Sequence, residues 1–402
     1  MFQISGILTT LSPLNIADPS QGRVDLDGRF VPGDKGFPCV RTRHAPFPAV
    51  FAPAPIDQGD DDGFDDLDAN DDAKKPEAMK SADDRRKAPL VNVPVVPANS
   101  LRGRLRRYAA REYYNVLIER GQRLSLDAFA VMQCGAAAGA PDGVPPNFEE
   151  VRAAEADPYF GLFGGGPRMF RSNLRCDDAI AVCEASASFV PESAGAFMNQ
   201  GRLTEVRFKR RNDDVAAFND VETQQAIIED YEAAVGRHQD ASAKTRAARG
   251  KKDEDDEAVR GVQSFHAVEA VRRGVNFALR FDIDGSHAHL GLFLRALARL
   301  LDAQRLGGMG QLGFGRFAVP TLTMFDDHGE GGEIFAPLST AQGRVVHAFN
   351  AGNLLVQRAM DAWAAEIDLI DPARIERFAA SNKPVQSADG AGEAGGKRGK
   401  KG

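Results

Sequence analysis

From Val275 to Ile283 apolar and polar side chains alternate. Val275, Phe277, Leu279, Phe281 and Ile283 fall on one face of an extended chain, and Asn276, Arg280 and Asp282 on the other. A two-residue period predicts a strand buried on one side. After the turn residues Asp284, Gly285 and Ser286 the period changes. Leu290, Phe293, Leu294, Leu297 and Leu301 recur at helical spacing, so a helix follows that can cover the strand's apolar face. A glycine-rich turn, LGGMGQLGFGRFAV, then leads into a further strand through Phe317 and Val319. The chain opens on another half-buried strand, with Phe2, Ile4, Gly6 and Leu8 alternating with more polar neighbours. Between these, VPANSLRGRLRRYAAREYY (Val96 to Tyr114) predicts a helix. Pro97 stops the preceding extended run, Asn99 or Ser100 caps, and Leu101, Leu105, Tyr108, Ala109 and Val116 form one apolar stripe. Strand, helix, long excursion, strand, helix, strand is the order of an α+β fold built on a split βαβ, ferredoxin-like or RRM-like palm with a large insertion.

Three segments lack the apolar residues a core requires. Asp57 to Lys87 is acidic with a basic end, His238 to Gly261 mixes blocks of both signs, and the chain closes on small and basic residues. They are expected to be mobile loops and a tail. At 402 residues the chain predicts two domains, or one with large insertions. A hydrophobic content of 43% with 27% charged residues suits a soluble globular protein, and a net charge of -7 argues against indiscriminate coating of nucleic acid. No basic region precedes the first apolar residues and no stretch has the length to span a bilayer, so a cytoplasmic protein without membrane contact is expected. Cys39, Cys134, Cys176 and Cys183 show no paired CxxC spacing, which suits reduced thiols; neither a metal nor a cofactor is expected.

Local charge departs from the acidic total. On the predicted first helix Arg104, Arg107 and Arg111 cluster nearly opposite the apolar stripe, while Arg102 and Arg106 flank it. Guanidinium forks match phosphate geometry, and a helix start adds oriented N–H groups, so Ser100, Leu101 and Arg102 suit a backbone phosphate. An ordinary solvated basic face is the competing account. In TEVRFKRRND, Arg207, Lys209 and Arg211 lie on one side of a possible strand, and Phe208 and Arg210 on the other. Such a strand can contact phosphates and wedge against bases, or it can be a solvated hairpin. In the glycine-rich turn, Gly307, Gly308, Gly310, Gly313 and Gly315 let backbone approach a ligand, or serve only to turn the chain. The turn follows a helix and precedes a strand, the reverse of a dinucleotide or P-loop arrangement, which excludes nucleotide-cofactor binding. In YFGLFGGGPRMFRS, Phe160 and Phe163 suit core anchors and Gly164 to Gly166 a tight bend, with Arg168 and Arg171 available to a ligand.

Together these pieces resemble a known family. VPANSLRGRLRR is similar to the basic, glycine-containing motif of the repeat-associated RAMP superfamily, YFGLFGGG resembles its aromatic-glycine motif, and GGMGQLGFGRF its carboxy-terminal glycine-rich loop, in the same order. Within that superfamily the chain resembles the backbone subunit of type IV CRISPR-Cas effector complexes, over roughly residues 1 to 325. The resemblance implies an RRM-like palm that binds guide RNA (crRNA), a thumb that crosses the strand, and copies stacked head to tail in a filament. Other CRISPR effector subunits and a target nucleic acid, paired to the guide, are the further partners implied. It divides the chain into a first part of the palm at 1–173, an inserted thumb at 174–269, a second part of the palm with C-terminal elements at 270–384, and a disordered tail at 385–402. Ser100, Arg102, Gly103, Arg104 and Arg106 would lie along the guide's backbone, with Gly307, Gly308, Gly310 and Gly313 near the same strand. Arg207, Lys209, Arg210 and Arg211 would be the thumb's contacts, and Arg168 and Arg171 complete the candidate RNA-binding set.

Related type III backbone proteins cut target RNA with an aspartate after the first strand, where this chain carries Asp18, Asp25, Asp27 and Asp34. A solvated acidic loop is expected instead, and no catalytic residue. The alternative is an endoribonuclease of the same superfamily, with His44 between Arg41 and Arg43 as its acid–base candidate. Asp282, Asp284, His287 and His289 can be drawn as a metal site, but alternation sends some of them apart, so helix capping and surface exposure are expected there.

Overall fold

The computed structural model describes residues 1–32, 36–48, 90–136, 144–212, 225–226, 229–230, 232–233, 236–237, 263–336, 339–341 and 344–380. The expected loops at 57–87 and 238–261 and the tail at 385–402 lie outside these residues. In chain order the strands among the described residues are β1 (Phe2–Thr10), β2 (Ala17–Val24), β3 (Phe37–Thr42), β4 (His44–Pro48), β5 (Leu90–Val96), β6 (Leu174–Cys176), β7 (Ala179–Ala181), β8 (Thr204–Asn212), β9 (Gln263–Val271), β10 (Asn276–Ile283), β11 (Phe317–Asp326), β12 (Gly331–Glu333), β13 (Ser339–Ala341) and β14 (Arg344–Val346). The helices are α1 (Ala98–Glu119), α2 (Leu126–Cys134), α3 (Phe148–Ala156), α4 (Pro158–Phe163), α5 (His287–Ala303), α6 (Leu354–Ile367) and α7 (Pro372–Ala379). The fold is α+β.

The chain divides into two compact units. The first holds Met1–Ile16, Arg43–Leu203 and Val271–Gly402, and the second Ala17–Thr42 and Thr204–Ala270. The boundary expected at 174 therefore differs from the division at 204. The reason is hydrogen bonding: β6 and β7 both pair with β10, which keeps that stretch on the first unit's sheet.

The first unit is built on a sheet ordered β12-β11-β1-β10-β7-β5-β4, with β6 also against β10. Its central pairs are antiparallel, and Ile4 of β1 stands in register with Phe281 of β10 and Met324 of β11. Alternation does what the sequence predicts: Phe277, Leu279, Phe281 and Ile283 are buried, while Arg280 is exposed. Over this face pack α1 and α5, whose Leu101, Leu105, Leu290, Phe293, Leu294, Leu297 and Leu301 are all buried. Each such side chain contributes about 1.5–3 kcal/mol by leaving water. Helix α6 lies against α5 at Gly291, where a Cβ would stand 2.2 Å from the Ala359 carbonyl oxygen. Only glycine lets the two backbones approach so closely.

The start of α1 corrects one expectation. The helix begins at Ala98, so Asn99 and Ser100 already lie inside it, and no side chain caps it from position 97. Asp178 does the work from another segment, accepting the Ala98 N–H at 2.7 Å.

The second unit is a four-stranded sheet ordered β2-β3-β9-β8. β2 and β3 are antiparallel, and β3 and β9 parallel. Val24, Cys39 and Ala267 form its small core, with Val206 packed against them. Burial pushes the Cys39 thiol up from its ordinary range.

Candidate functional site

The arginines of α1 separate into two sets according to what packs on their side of the helix. Arg106 is only 8% exposed. Its guanidinium donates to the Phe163 carbonyl at 2.7 Å and to that of Gly164 at 3.3 Å, and it lies over the Phe163 ring. Arg102 donates to the same Phe163 oxygen at 2.5 Å. These carbonyls close α4, and a helix end leaves such acceptors unpaired and partially negative. Two of the recognisable sequence motifs thus dock onto each other. The bend after Phe163 needs its glycines: Gly165 has a φ of +93°, and a Cβ there would meet the Gly135 carbonyl oxygen at 2.7 Å.

Arg104, Arg107 and Arg111 point the other way. With Tyr108 of the same helix, and Arg299 and Asp302 of α5, they line a pocket of about 450 Å³. Spacings of three and four residues bring these side chains into one ridge. Arg299 is held from behind by Glu112, a buried carboxylate that also accepts from Arg295 at 3.2 Å. Asp302 lies 3.1 Å from His347 Nδ1 through one carboxylate oxygen. Among the described residues no ion pair or hydrogen bond engages Arg104, Arg107 or Arg111. Three unneutralised guanidiniums in one concavity raise its potential and supply only donors, which suits a polyanion with several acceptor oxygens.

The glycine-rich turn starts from the same end of α5, and it too has two roles. Gly307 (φ +71°) is structural, because a Cβ would stand 2.4 Å from the Asn15 carbonyl oxygen. Gly308 donates to that oxygen at 3.0 Å, and Arg305 clasps the loop by donating to the Phe314 carbonyl at 3.0 Å. Beyond this clasp, a Cβ on Gly308, Gly310 or Gly313 would meet nothing within 4 Å. That stretch of backbone is open to a ligand.

The remaining sequence candidates are distributed as follows. Ser100 and Gly103 lie near the start of α1, partly exposed, on the turns that lead to Arg104. Arg168 is buried, paired with Glu150 at 2.5 Å and bonded to the Val144 carbonyl, so its charge is turned to the protein. That pairing lowers the Glu150 carboxyl below its usual range. Arg171 is exposed. In the second unit, Arg207 is half-exposed and paired with Glu205 at 2.6 Å, and desolvation lowers the partly buried Lys209 ammonium. Phe208 packs edge-on against Phe37. Arg210 and Arg211 continue β8, and their side chains lie outside the described residues.

Among the acidic candidates, Asp18 accepts from the Ser20 N–H and hydroxyl, and Asp25 from the Arg29 N–H, each closing a local turn. Asp27 is exposed, and Asp34 lies outside the described residues. His44 sits in β4 opposite Pro94. The capping expected near Ser286 is present, but the surface exposure of His289 is not. His289 is 3% exposed, accepts the Ser286 N–H at Nδ1 and donates from Nε2 to the Glu155 carbonyl. Burial lowers its pKa and keeps it neutral. Among the described residues no group of His, Cys, Asp and Glu is arranged to hold a metal, and no helix is long and apolar enough to cross a membrane.

Sequence reasoning missed Glu112, Arg295, Arg299 and Asp302, and counted Tyr108 only as part of the apolar stripe. The signal was present in LFLRALARLLDAQR, where Arg295, Arg299 and Asp302 recur at helical spacing on the polar side of α5. No family model and no curated protein matches the sequence. Among solved structures the chain is similar to one from a "Type IV-B CRISPR Complex", with 13% identity, 85% of this chain and 96% of that chain covered, and a TM-score of 0.39.

Proposed function

We propose that this chain is a backbone subunit of a type IV CRISPR ribonucleoprotein that grips guide RNA by its phosphates without reading its bases. The observation that carries the RNA reading is the pocket in which Arg104, Arg107 and Arg111 meet Arg299, with no protein anion engaging the first three among the described residues. A phosphodiester chain supplies repeated anionic oxygens, and releasing its counterions drives binding whatever the sequence. The open backbone at Gly308, Gly310 and Gly313 extends the contact, with Ser100, Gly103 and Arg171. Arg207 and Lys209 of the second unit are separate candidate RNA contacts. Arg102 is half-withdrawn, and Arg106 and Arg168 support the interface from inside.

Two further features favour the reading. Strand order β11-β1-β10-β7, with α1 between β1 and β7 and α5 after β10, supports reading the first unit as a ferredoxin-like, RRM-like palm. The three ordered motifs resemble those of the RAMP superfamily. In this reading copies associate head to tail along the guide, the target is recognised by pairing, and the chain itself does not cut; the local turn duties of Asp18 and Asp25 favour that last point. The test is purification from the native host followed by nuclease digestion. Bound RNA, with protected fragments lengthening in regular steps, is expected. Protein free of oligonucleotide would overturn the proposal.

A further inference from the structure

We infer that Asp302 is the residue by which the arginine pocket tells RNA from DNA, by accepting a hydrogen bond from a ribose 2′-hydroxyl. The inference rests on the RNA reading above and adds the basis of sugar discrimination. Four guanidiniums offer donors only, and phosphate oxygens of RNA and DNA satisfy them equally. Arginine contacts to phosphate alone therefore do not discriminate the sugar.

Asp302 is the one carboxylate lining that pocket among the described residues. The four guanidiniums around it favour its charge, but toward an anionic ligand its position is unfavourable. It repels every phosphate the arginines attract, and it stands in the last turn of α5, where the helix dipole favours a cation. Among the described residues it engages none of the pocket's arginines: its hydrogen-bond partner is His347, while Arg299 is held by Glu112. Its side chain is 58% exposed, and among the described residues His347 engages Oδ1 alone, so Oδ2 is left to accept from a ligand. The chemistry these costs leave for Asp302 is acceptance of a donor on the ligand. The 2′-hydroxyl is the donor that every ribonucleotide carries and no deoxyribonucleotide does. The Tyr108 phenol also lines the pocket, but it donates as readily as it accepts and so discriminates poorly.

The test is fluorescence anisotropy on the full chain at one salt concentration. Its probes are oligouridine RNA, the matching oligodeoxyuridine, and 2′-O-methyl oligouridine, which lacks the donor proton. The wild type should bind RNA about fivefold more tightly than either analogue, the size of one exposed charge-assisted hydrogen bond. Asp302→Ala should close that gap, while Asp302→Asn, which keeps an acceptor oxygen, should retain part of it. A gap unchanged in Asp302→Ala, or absent from the wild type, overturns the inference. Failure of the wild type to bind any of the three probes overturns the RNA reading itself.

Discussion

Helix α1 carries arginines of two kinds within a single motif. Arg102 and Arg106 give their donors to the carbonyls that end α4, and Arg106 is buried in doing so. Arg104, Arg107 and Arg111 share a pocket with Arg299 and engage no protein anion among the described residues. The residue type is the same and the helix is the same; only the neighbour differs. A guanidinium with its acceptors already in the protein contributes to folding, and one without them is left for a ligand. The glycine-rich loop repeats the division, with Gly307 pressed against Asn15 and Gly308, Gly310 and Gly313 open.

Three experiments can break or sharpen this contrast. The largest effect is expected from Arg106→Ala, which strips the Gly164 carbonyl of its charge-assisted donor and the Phe163 carbonyl of one of its two inside the core. It should lower unfolding stability by about 3 kcal/mol in denaturant titration while leaving the RNA affinity of the folded fraction unchanged. A stable variant with weakened RNA binding would reverse the roles assigned to the two sets.

Next comes the triple substitution Arg104→Gln, Arg107→Gln and Arg111→Gln. It should weaken RNA binding about a hundredfold, or ~2.7 kcal/mol. The slope of log affinity against log salt should fall by about 2, since each phosphate contact on a single strand contributes ~0.7. The midpoint of thermal unfolding should stay within a few degrees. Unaltered affinity and slope would show that this pocket is a solvated face.

The smallest effects separate the loop glycines. Gly307→Ala, at positive φ and colliding with the Asn15 carbonyl, should destabilise by about 1–2 kcal/mol. Gly308→Ala meets open space and should alter stability by less than ~0.5 kcal/mol, with a change in RNA affinity of only a few-fold. Equal destabilisation by both would show that the open stretch is packed in solution.

Much of the fold was legible because hydrophobic period is a local property. The alternation from Phe277 to Ile283 and the stripe through Leu101, Leu105 and Ala109 each specify one buried face without reference to the rest of the chain. The wheel also placed Arg104, Arg107 and Arg111 opposite the stripe. It could not say that the flank bearing Arg102 and Arg106 is covered by α4, because two flanking positions look alike until a second element packs on one of them. For the same reason Asn99 and Ser100 read as caps, although the helix already starts at Ala98, whose N–H is satisfied by Asp178.

The sequence by itself determined the α+β character, the strands β1, β10 and β11 of the central sheet, the basic helix and the glycine-rich loop. Tertiary structure alone decided which charges are spent inside the protein and which remain for a partner. It brought Arg299 and Asp302 of α5 to the ridge on α1, set Glu112 behind Arg299, and took Arg106 and Arg168 out of contact with solvent. The physical reason is that burying an apolar side chain needs only a face, whereas satisfying a polar one needs a particular acceptor at hydrogen-bond distance. Segments far apart in the chain supply that acceptor, and only packing brings them together.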